Sequence, residues 1–275
     1  MRSIPPLLTS ETAKAILEGD MKQSLDLGLS RSTVDFDCGR LQLPGGFSVS
    51  MEDLLKVAKR ENSVFFPGDG GLFMVAVSAG RFFKLLPTRG APTMEVDGVR
   101  MHRTKDTTPD RDTREKLNVL GLNGGRVLDT CMGLGYTAGE AVKRGAELVI
   151  TVERESGVLH ICALNPWSNL LYEPIVHKII GDSYYTIEAF PDEFFNWVIH
   201  DPPRITHAGH LYSGEFYRRI YRVTAEGGRL YHYTGEPGSR NRGLDIQKGV
   251  QRRLKDAGFR NTTYHKNVTA VTCEK

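Results

Sequence analysis

The feature that most constrains the fold is an apolar strand that runs directly into a glycine turn and then a helix, at residues 126–138. Val127 and Leu128 suit a buried strand, while Gly133 and Gly135 allow the backbone to bend sharply and to approach a ligand closely. The following helix would aim its free amide groups back at this turn. Ordinary strand-to-helix connections in parallel sheets also use such turns, so a cofactor site needs support from elsewhere in the chain.

Three apolar segments further along the chain also end at acidic residues. They are residues 148–152 before Glu153, residues 178–182 ending on Asp182, and residues 196–200 before Asp201. Because the carboxyl ends of parallel strands meet at one edge of an open α/β sheet, these side chains should line one ligand-binding edge. Glu153 follows Asp129 at close to the roughly 20-residue offset at which an acidic side chain reaches ribose hydroxyls.

The first part of the chain has a different pattern, which predicts a smaller, mostly β N-terminal domain over residues 1–104. Helices are predicted at residues 10–17, capped by Thr9 or Ser10, and at residues 51–59. Alternating or β-rich segments predict strands at residues 25–29, 33–37, 64–66 and 72–77. Residues 105–275 are expected to form the second domain.

The junction between the two predicted domains carries a helix-start signal. Thr108 suits the N-cap, Pro109 suits the first helical position, and acidic residues follow in the first turn. A helix is therefore predicted from Pro109 to about Leu120.

Together these segments resemble the class I S-adenosylmethionine-dependent methyltransferases. Residues 129–135 look like the first motif of that family, Glu153 its ribose-binding acid, Asp182 its adenine-contacting acid, and residues 201–204, Asp-Pro-Pro-Arg, its fourth motif. Cys131 stands where the first glycine of the usual Gly-x-Gly-x-Gly is expected. The resemblance covers about residues 105–275. It implies an α/β fold with a Rossmann-like, seven-stranded methyltransferase sheet, and S-adenosyl-L-methionine as the cofactor.

The same resemblance assigns a set of cofactor-binding residues in the glycine turn, at the strand ends and in the segment before the first motif. In methyltransferases of this type that preceding segment covers the methionine end of the cofactor, although simple helix capping would also explain Thr108. The expected cofactor contacts are Thr108, Asp129, Cys131, Met132, Gly133, Gly135, Tyr136, Thr137, Glu153, Arg154, Asp182 and Ser183.

The Asp-Pro-Pro-Arg motif is predicted to carry the chemistry. An exocyclic amine of a nucleobase is a poor nucleophile because its lone pair is delocalised into the ring. A carboxylate and a backbone carbonyl fixed by two prolines can accept hydrogen bonds from the amine and hold it in line with a sulfonium methyl. We therefore expect a catalytic set in which Asp201 and the Pro202 carbonyl are the acceptors, completed by Pro203 and Arg204.

Arg204 departs from the family pattern. Enzymes that methylate such amines usually carry an aromatic residue at this position, which stacks on the target. A guanidinium can also stack on a base or bind a phosphate. The remaining candidates for substrate binding are Tyr184, His207, Tyr212 and Arg240, the last in a basic, glycine-rich loop.

Charge and composition limit the partners. The net charge of +3 permits a nucleic-acid partner without requiring one, and basic clusters at residues 100–105, 218–222 and 240–242 border the predicted site. No apolar run approaches the roughly 20 residues of a membrane span, and a signal-peptide core is absent, so we expect a cytoplasmic protein with no membrane partner. The spacing of the four cysteines suggests neither a disulfide framework nor a zinc site, and His207 and His210 lack a third ligand, so no metal is expected.

These observations predict methylation of an exocyclic amine in RNA. The N-terminal extension, the Cys-Met-Gly-Leu-Gly-Tyr-Thr run and the Asp-Pro-Pro-Arg variant resemble an archaeal group that includes ribosomal RNA cytidine N4-methyltransferases forming dimethylcytidine. Aminopropyl transfer to a polyamine, which uses a similar core, is one alternative, but it would want a denser acidic pocket than the basic borders indicate. A non-catalytic RNA-binding or ribosome-assembly protein is another, and the intact set Asp129, Glu153, Asp182 and Asp201 argues against it.

Overall fold

A computed structural model of the chain describes residues 4–235 and 246–275. It divides into two compact units, one made of Met1–Asp110 with Ser156–Asn169 and the other of Arg111–Glu155 with Leu170–Lys275. The predicted boundary at residue 104 lies close to Asp110. The return of a later segment to the first unit is not visible in the sequence pattern.

The first unit is built mainly from short antiparallel strands, which form the smaller β-rich domain. Its strands are β1 (Leu8–Thr9), β2 (Lys22–Gln23), β3 (Ser32–Thr33), β4 (Asp35–Asp37), β5 (Arg40–Leu43), β6 (Phe47–Ser50), β7 (Val64–Gly68), β8 (Gly71–Met74), β9 (Ala76–Ala79), β10 (Arg81–Leu86), β11 (Thr93–Val96) and β12 (Val99–Arg100). The helices α1 (Ser10–Leu17) and α2 (Met51–Ala58) accompany them. The strands join in the orders β1-β7-β8, β4-β5-β6, β12-β11-β10-β9 and β2-β3.

Local side-chain hydrogen bonds explain where these elements begin. Thr9 caps α1 through a capping box with Thr12, and Ser50 caps α2 by accepting the Asp53 amide, so both helices start where the sequence predicts. The predicted strand at residues 25–29 is wrong. Asp26 accepts hydrogen bonds from the backbone amides that follow it, at 3.0 Å and 2.9 Å, which makes this segment a turn.

The second unit contains the large sheet. From the domain junction onward, the chain forms α3 (Pro109–Leu120), β13 (Arg126–Asp129), α4 (Tyr136–Lys143), β14 (Leu148–Glu153), α5 (Ser156–Leu164), β15 (Val176–Ile180), α6 (Ser183–Thr186), β16 (Phe195–His200), α7 (Gly214–Val223), β17 (Thr224–Tyr233), α8 (Ile246–Asp256), β18 (Arg260–His265) and β19 (Ala270–Glu274). Short 3₁₀ helices cover Pro166–Tyr172, Ile187–Ala189 and Gly209–Tyr212.

Helix α5 belongs to the first unit, where it packs against β9 and β10. Gly157 allows this close packing, because a Cβ there would lie 2.5 Å from the ring of Phe83. The insertion therefore depends on one small residue at the start of α5.

The seven strands lie in the order β15-β14-β13-β16-β17-β19-β18. The first five are parallel, and β19 runs antiparallel to both β17 and β18. This confirms the predicted Rossmann-like, seven-stranded methyltransferase sheet, in which β18 and β19 form an antiparallel hairpin at one edge. The strand order reverses between β13 and β16, and open α/β sheets bind ligands at the carboxyl ends of the strands beside such a reversal.

Burial of α7 against the sheet anchors the segment that follows β16. Phe216, Tyr217, Ile220 and Val223 on α7 are buried, and Ser213 caps the helix by accepting the Phe216 amide at 3.1 Å. This cap separates α7 from the preceding 3₁₀ helix at Gly209–Tyr212. Within the described ranges, no helix combines the length and apolarity needed to cross a membrane.

Candidate active site at the carboxyl edge of the sheet

Asp129 ends β13 and is fully buried beneath the glycine turn. Its Oδ2 accepts hydrogen bonds from the hydroxyls of Thr137 and Thr151, both at 2.9 Å, and its Oδ1 accepts one from the Cys131 amide at 3.4 Å. Burial raises the pKa of Asp129 to about 6, although these hydrogen bonds oppose the shift. Because both carboxylate oxygens are bonded to the turn, α4 or β14, Asp129 is placed to hold these elements together rather than to contact a ligand.

The two glycines of the turn have different roles. Both adopt the left-handed backbone region, with φ of +51° at Gly133 and +74° at Gly135. A Cβ at Gly135 would lie 2.3 Å from the side chain of Leu171, whereas the space beside Gly133 is open. Gly135 is thus required by packing, and the open side of Gly133 leaves room for a ligand.

Glu153, at the end of β14, lies directly beside this turn. Its two oxygens accept hydrogen bonds from the backbone amides of Gly133, at 3.0 Å, and Glu155, at 2.9 Å. Burial raises the pKa of Glu153, and these amide hydrogen bonds limit the shift. These bonds and a further one from the Arg154 amide leave part of the carboxylate's capacity of about four lone pairs for a hydroxyl, so the residue fits the predicted ribose contact. Arg154 is ion-paired with Glu155 at 2.9 Å.

Asp182 lies at the same edge, beyond β15. That strand is shifted two residues toward the N-terminus relative to the prediction, so Asp182 caps α6 instead of ending the strand. Its Oδ1 accepts the Tyr184 amide at 2.9 Å, and its Oδ2 is 3.2 Å from Nε2 of His210. Ser183 is buried and its hydroxyl donates to the carbonyl of Thr130, which ties α6 to the glycine turn.

The other predicted cofactor residues divide into three groups. Met132 and Tyr136 are buried within the turn, as is Thr137. Cys131 is partly exposed, and burial of its thiol raises its pKa well above the ordinary value. Thr108 belongs to the first unit, where its hydroxyl donates to Asp110 at 2.6 Å, and its contact with a cofactor stays a prediction.

Asp201 follows β16 and is held by a lysine that the sequence analysis missed. Nζ of Lys116, on α3, lies 2.6 Å from Oδ2 of Asp201 and 2.9 Å from Oδ2 of Asp112. Burial alone would lower the pKa of Lys116, but the two carboxylates hold it well above its ordinary value, so the residue stays charged. The pair Asp112 and Lys116 at helical spacing is visible in the sequence, whereas its link to Asp201 depends on the fold.

A hydrogen bond from the segment that follows it holds the Asp-Pro-Pro-Arg turn in place. Pro202 is buried, whereas Pro203 and Arg204 are exposed. The hydroxyl of Tyr212 donates to the Pro203 carbonyl at 3.1 Å. Tyr212 is only 3% exposed, so it supports this turn and does not fit the substrate contact that the sequence predicted.

Two buried histidines under the turn were also missed. His200 donates from Nε2 to the Leu211 carbonyl at 2.9 Å and accepts at Nδ1 from the Thr130 hydroxyl at 2.7 Å. We assign this tautomer because a carbonyl can only accept. Burial lowers the pKa of His200 to about 3 and that of His232, which contacts the Tyr217 hydroxyl at 2.7 Å, well below its ordinary value. Both are neutral supports of the site.

The remaining substrate candidates have different surroundings. Tyr184 is partly buried, with the Arg219 guanidinium 4.1 Å from its ring centre and the Phe216 ring stacked at 5.9 Å. His207 is exposed and forms a 3.0 Å contact with the Thr206 hydroxyl. Arg240 lies outside the described residues.

The arginine cluster at residues 218–222 is largely neutralised. Arg219 forms ion pairs with Glu188 at 2.8 Å and Glu215 at 2.6 Å, and Arg222 forms one with Asp192 at 2.6 Å. Of the other basic clusters, residues 100–105 lie in the first unit and residues 240–242 lie outside the described ranges. Two of the three arginines in this cluster are therefore paired within the unit and do not form the free basic border that the sequence predicted.

Comparison with known proteins identifies a relative of this chain and a matching family. The chain is 45% identical over 276 residues to the "Uncharacterized protein MJ1233" of Methanocaldococcus jannaschii, an alignment that covers 98% of this chain and 95% of that protein. Residues 100–210 match the family described as "Conserved hypothetical protein 95".

More distant similarities involve aminopropyltransferases. The chain is 31% identical over 131 residues to "Polyamine aminopropyltransferase 2" of Streptomyces coelicolor, which covers 45% of this chain and 24% of that protein. The crystal structure of spermidine synthase from Thermotoga maritima aligns with a TM-score of 0.58 at 20% identity, over 73% of this chain and 71% of that one, which shows a shared fold. None of these names describes a ribosomal RNA methyltransferase.

Proposed function

The chain belongs to the family of the M. jannaschii protein MJ1233, and from that premise we propose that it is an aminopropyltransferase that acts on a polyamine. The donor would be decarboxylated S-adenosylmethionine, bound at the carboxyl edge of the sheet. The observation that carries the proposal is the charge of this edge. The sequence similarity to a polyamine aminopropyltransferase supports it.

Carboxylates dominate the strand ends where a donor would bind. Four acidic residues lie at or just beyond the ends of neighbouring parallel strands: Asp129, Glu153, Asp182 and Asp201. Among the described residues of the second unit, the basic side chains in contact with this set include Lys116, which meets Asp201, and His210, which meets Asp182. The pairing of Arg219 and Arg222 with their own carboxylates weakens, at this cluster, the argument from basic borders against a cationic substrate. An acidic edge favours both a sulfonium donor and a polyamine.

The residues of the edge fit the parts of such a donor. The open side of Gly133 leaves room beside the turn, the remaining acceptor capacity of Glu153 suits a ribose hydroxyl, and Asp182 suits the adenine amine. When bound, the donor supplies an electrophilic carbon next to its sulfonium sulfur. Asp201 would accept a hydrogen bond from the acceptor amine and hold the nitrogen toward that carbon. As the carbon–nitrogen bond forms, the carbon–sulfur bond breaks, its electron pair leaves with 5′-methylthioadenosine, and Asp201 takes up the amine proton.

A second candidate is methylation of an exocyclic amine in RNA, best matched by cytidine N4 in ribosomal RNA, with S-adenosyl-L-methionine as donor. The specific observation in its favour is the ion pair of Asp201 with Lys116. A carboxylate whose charge is already balanced attracts a cation less strongly, yet it still accepts a hydrogen bond from a neutral amine. The Asp-Pro-Pro sequence supports the same reading.

Donor choice separates the two candidates. Purified protein would be incubated with decarboxylated S-adenosylmethionine and linear polyamines. Chromatography would measure the 5′-methylthioadenosine that is released. We expect polyamine-dependent release. Inertness toward this donor, together with S-adenosyl-L-methionine-dependent methylation of RNA, would overturn the proposal in favour of the second candidate. Inactivity with both donors would favour a non-catalytic role.

A further inference from the structure

Lys116 is the central group of a buried three-residue ion-pair cluster in the second unit. It is 7% exposed, and its ammonium lies between the carboxylates of Asp112, from its own helix, and Asp201, beyond β16. The ring of Tyr233, at the end of β17, has its centre 5.3 Å from Nζ. Three elements of the unit thus converge on one positive charge next to the candidate catalytic carboxylate.

We propose that Lys116 is the positioning residue of the transfer reaction, which fixes Oδ2 of Asp201 so that Oδ1 is left to accept the amine. This inference rests on the proposed function, because it takes Asp201 as the group that meets the substrate nitrogen. The contact of 2.6 Å is short for a lysine–carboxylate hydrogen bond and involves one oxygen alone. Asp201 keeps 22% of its side chain exposed, so the carboxylate is accessible while it is held.

The cost of burying charge argues against a purely structural role. Buried ion pairs are commonly replaced by apolar residues with little loss of stability, because desolvation offsets most of the attraction between the charges. A lysine held between two carboxylates at a ligand-binding edge therefore needs a functional explanation. Without its charge, Asp112 and Asp201 would repel each other, and Asp201 would lose its fixed orientation.

The fixed orientation matters because transfer from a sulfonium requires the amine in line with the carbon under attack. Small displacements of a positioning group can cost roughly 100-fold in rate even when binding is preserved. Lys116 should accordingly affect the turnover number more than the binding of the nucleoside part of the donor. This separation distinguishes a positioning residue from one that only stabilises the unit.

The test compares wild-type protein with Lys116→Met, Lys116→Arg and the double variant Lys116→Met/Asp112→Asn. The double variant guards against misfolding, because it removes the lysine together with the buried negative charge of Asp112 that faces it. We expect Lys116→Met and the double variant to lower kcat about 100-fold, while the calorimetric Kd for 5′-methylthioadenosine changes less than about threefold. Lys116→Arg should recover part of the lost kcat, since arginine keeps the charge and the hydrogen bond.

Lys275 provides a matched control in the same unit. It is also buried, with Nζ 3.2 Å from Glu193 and 4.6 Å from the ring centre of Tyr221. The residue follows β19, where its amide pairs with Gly228 near the start of β17, the end opposite the candidate site. Lys275→Met should lower thermal stability without lowering the kcat of the folded protein.

The outcomes separate this inference from the function on which it rests. A folded double variant with wild-type kcat would overturn the role of Lys116 and leave the proposed function intact. Loss of 5′-methylthioadenosine binding in parallel with kcat would also contradict it, because the lysine would then serve the donor site as a whole. Absence of transfer by wild-type protein would overturn the proposed function and the inference with it.

Discussion

Nε2 of His200 lies 2.9 Å from the carbonyl oxygen of Leu211, so a buried, neutral histidine joins the end of β16 to the loop beyond the Asp-Pro-Pro-Arg turn. The ring is inaccessible to solvent and its second nitrogen accepts the Thr130 hydroxyl. The geometry of the candidate site therefore depends on a group that must remain unprotonated.

His200 should make the protein sensitive to mild acid. Its pKa is about 3 in the folded state and near 6.5 when unfolded, so its contribution to stability is complete above pH 6.5 and is lost as the pH falls toward 3. Between pH 7 and pH 5 the loss amounts to about 2 kcal/mol, at 1.4 kcal/mol per pH unit. Urea unfolding should show a correspondingly smaller change for His200→Gln. Equal changes in both proteins would contradict this role.

Asp129 should have the opposite effect on the pH dependence of stability. Its pKa is about 6 in the folded state and 3.8 in the unfolded state. Ionisation of the buried carboxyl therefore costs no unfolding free energy below about pH 4, and the cost grows as the pH rises to 6. The full penalty is about 3 kcal/mol at neutral pH. Asp129→Asn should therefore gain stability relative to wild type between pH 4 and pH 7. Parallel pH profiles of the two unfolding free energies would rule this out.

The two turn glycines should differ in their tolerance of alanine. Gly133→Ala incurs only the left-handed backbone cost of about 1–2 kcal/mol. Gly135→Ala adds a collision with Leu171, which should bring the total to about 2–5 kcal/mol. Chemical denaturation of both variants measures the difference directly. An equal loss at the two positions would mean that the contact with Leu171 relaxes at no cost.

Arg222 should stabilise the unit instead of binding a polyanion. Its guanidinium donates to the carbonyls of Ile187 and Phe190 and pairs with Asp192. Arg222→Met should cost about 1–3 kcal/mol of unfolding free energy and leave the KM for the acceptor unchanged. If the arginine instead bound RNA, the variant would show weaker RNA binding with a smaller dependence on salt concentration.

Asp201 should be needed for transfer and not for donor binding. Asp201→Asn keeps the shape of the side chain but loses the charge that accepts the proton, so transfer should fall by about 10²- to 10⁴-fold. The Kd for 5′-methylthioadenosine should stay close to the wild-type value. A variant that no longer binds the nucleoside would show that the motif belongs to the donor pocket.

Local sequence patterns predict the sheet and the acidic ends of β13, β14 and β16 because each depends on a few neighbouring residues. The seven-stranded sheet and the starting positions of α1 and α2 are confirmed. Residues 25–29 alternate like a strand, but the Asp26 carboxylate accepts hydrogen bonds from the Leu29 and Ser30 amides and so forms a turn. Alternation alone does not reveal that competition.

The features that the sequence does not predict are contacts between residues far apart in the chain. Lys116 and Asp201 are brought together only by the fold, so the ion pair at the candidate site has no local signature. The arginine cluster at residues 218–222 looks free in sequence because two of its partners, Glu188 and Asp192, come from a different segment. The position of Tyr212 in the sequence suits either a core residue or a substrate contact. Its burial in the structure indicates a core residue.

The most direct test of the central claim is the mass of the acceptor after reaction. Wild-type protein and Asp201→Asn would each be given both donors, decarboxylated S-adenosylmethionine and S-adenosyl-L-methionine, together with linear polyamines and RNA. Mass spectrometry would then identify which acceptor changes. The proposal predicts a polyamine heavier by one aminopropyl group, formed by wild-type protein and not by the variant. A nucleoside heavier by a methyl group, with the polyamines unchanged, would contradict it.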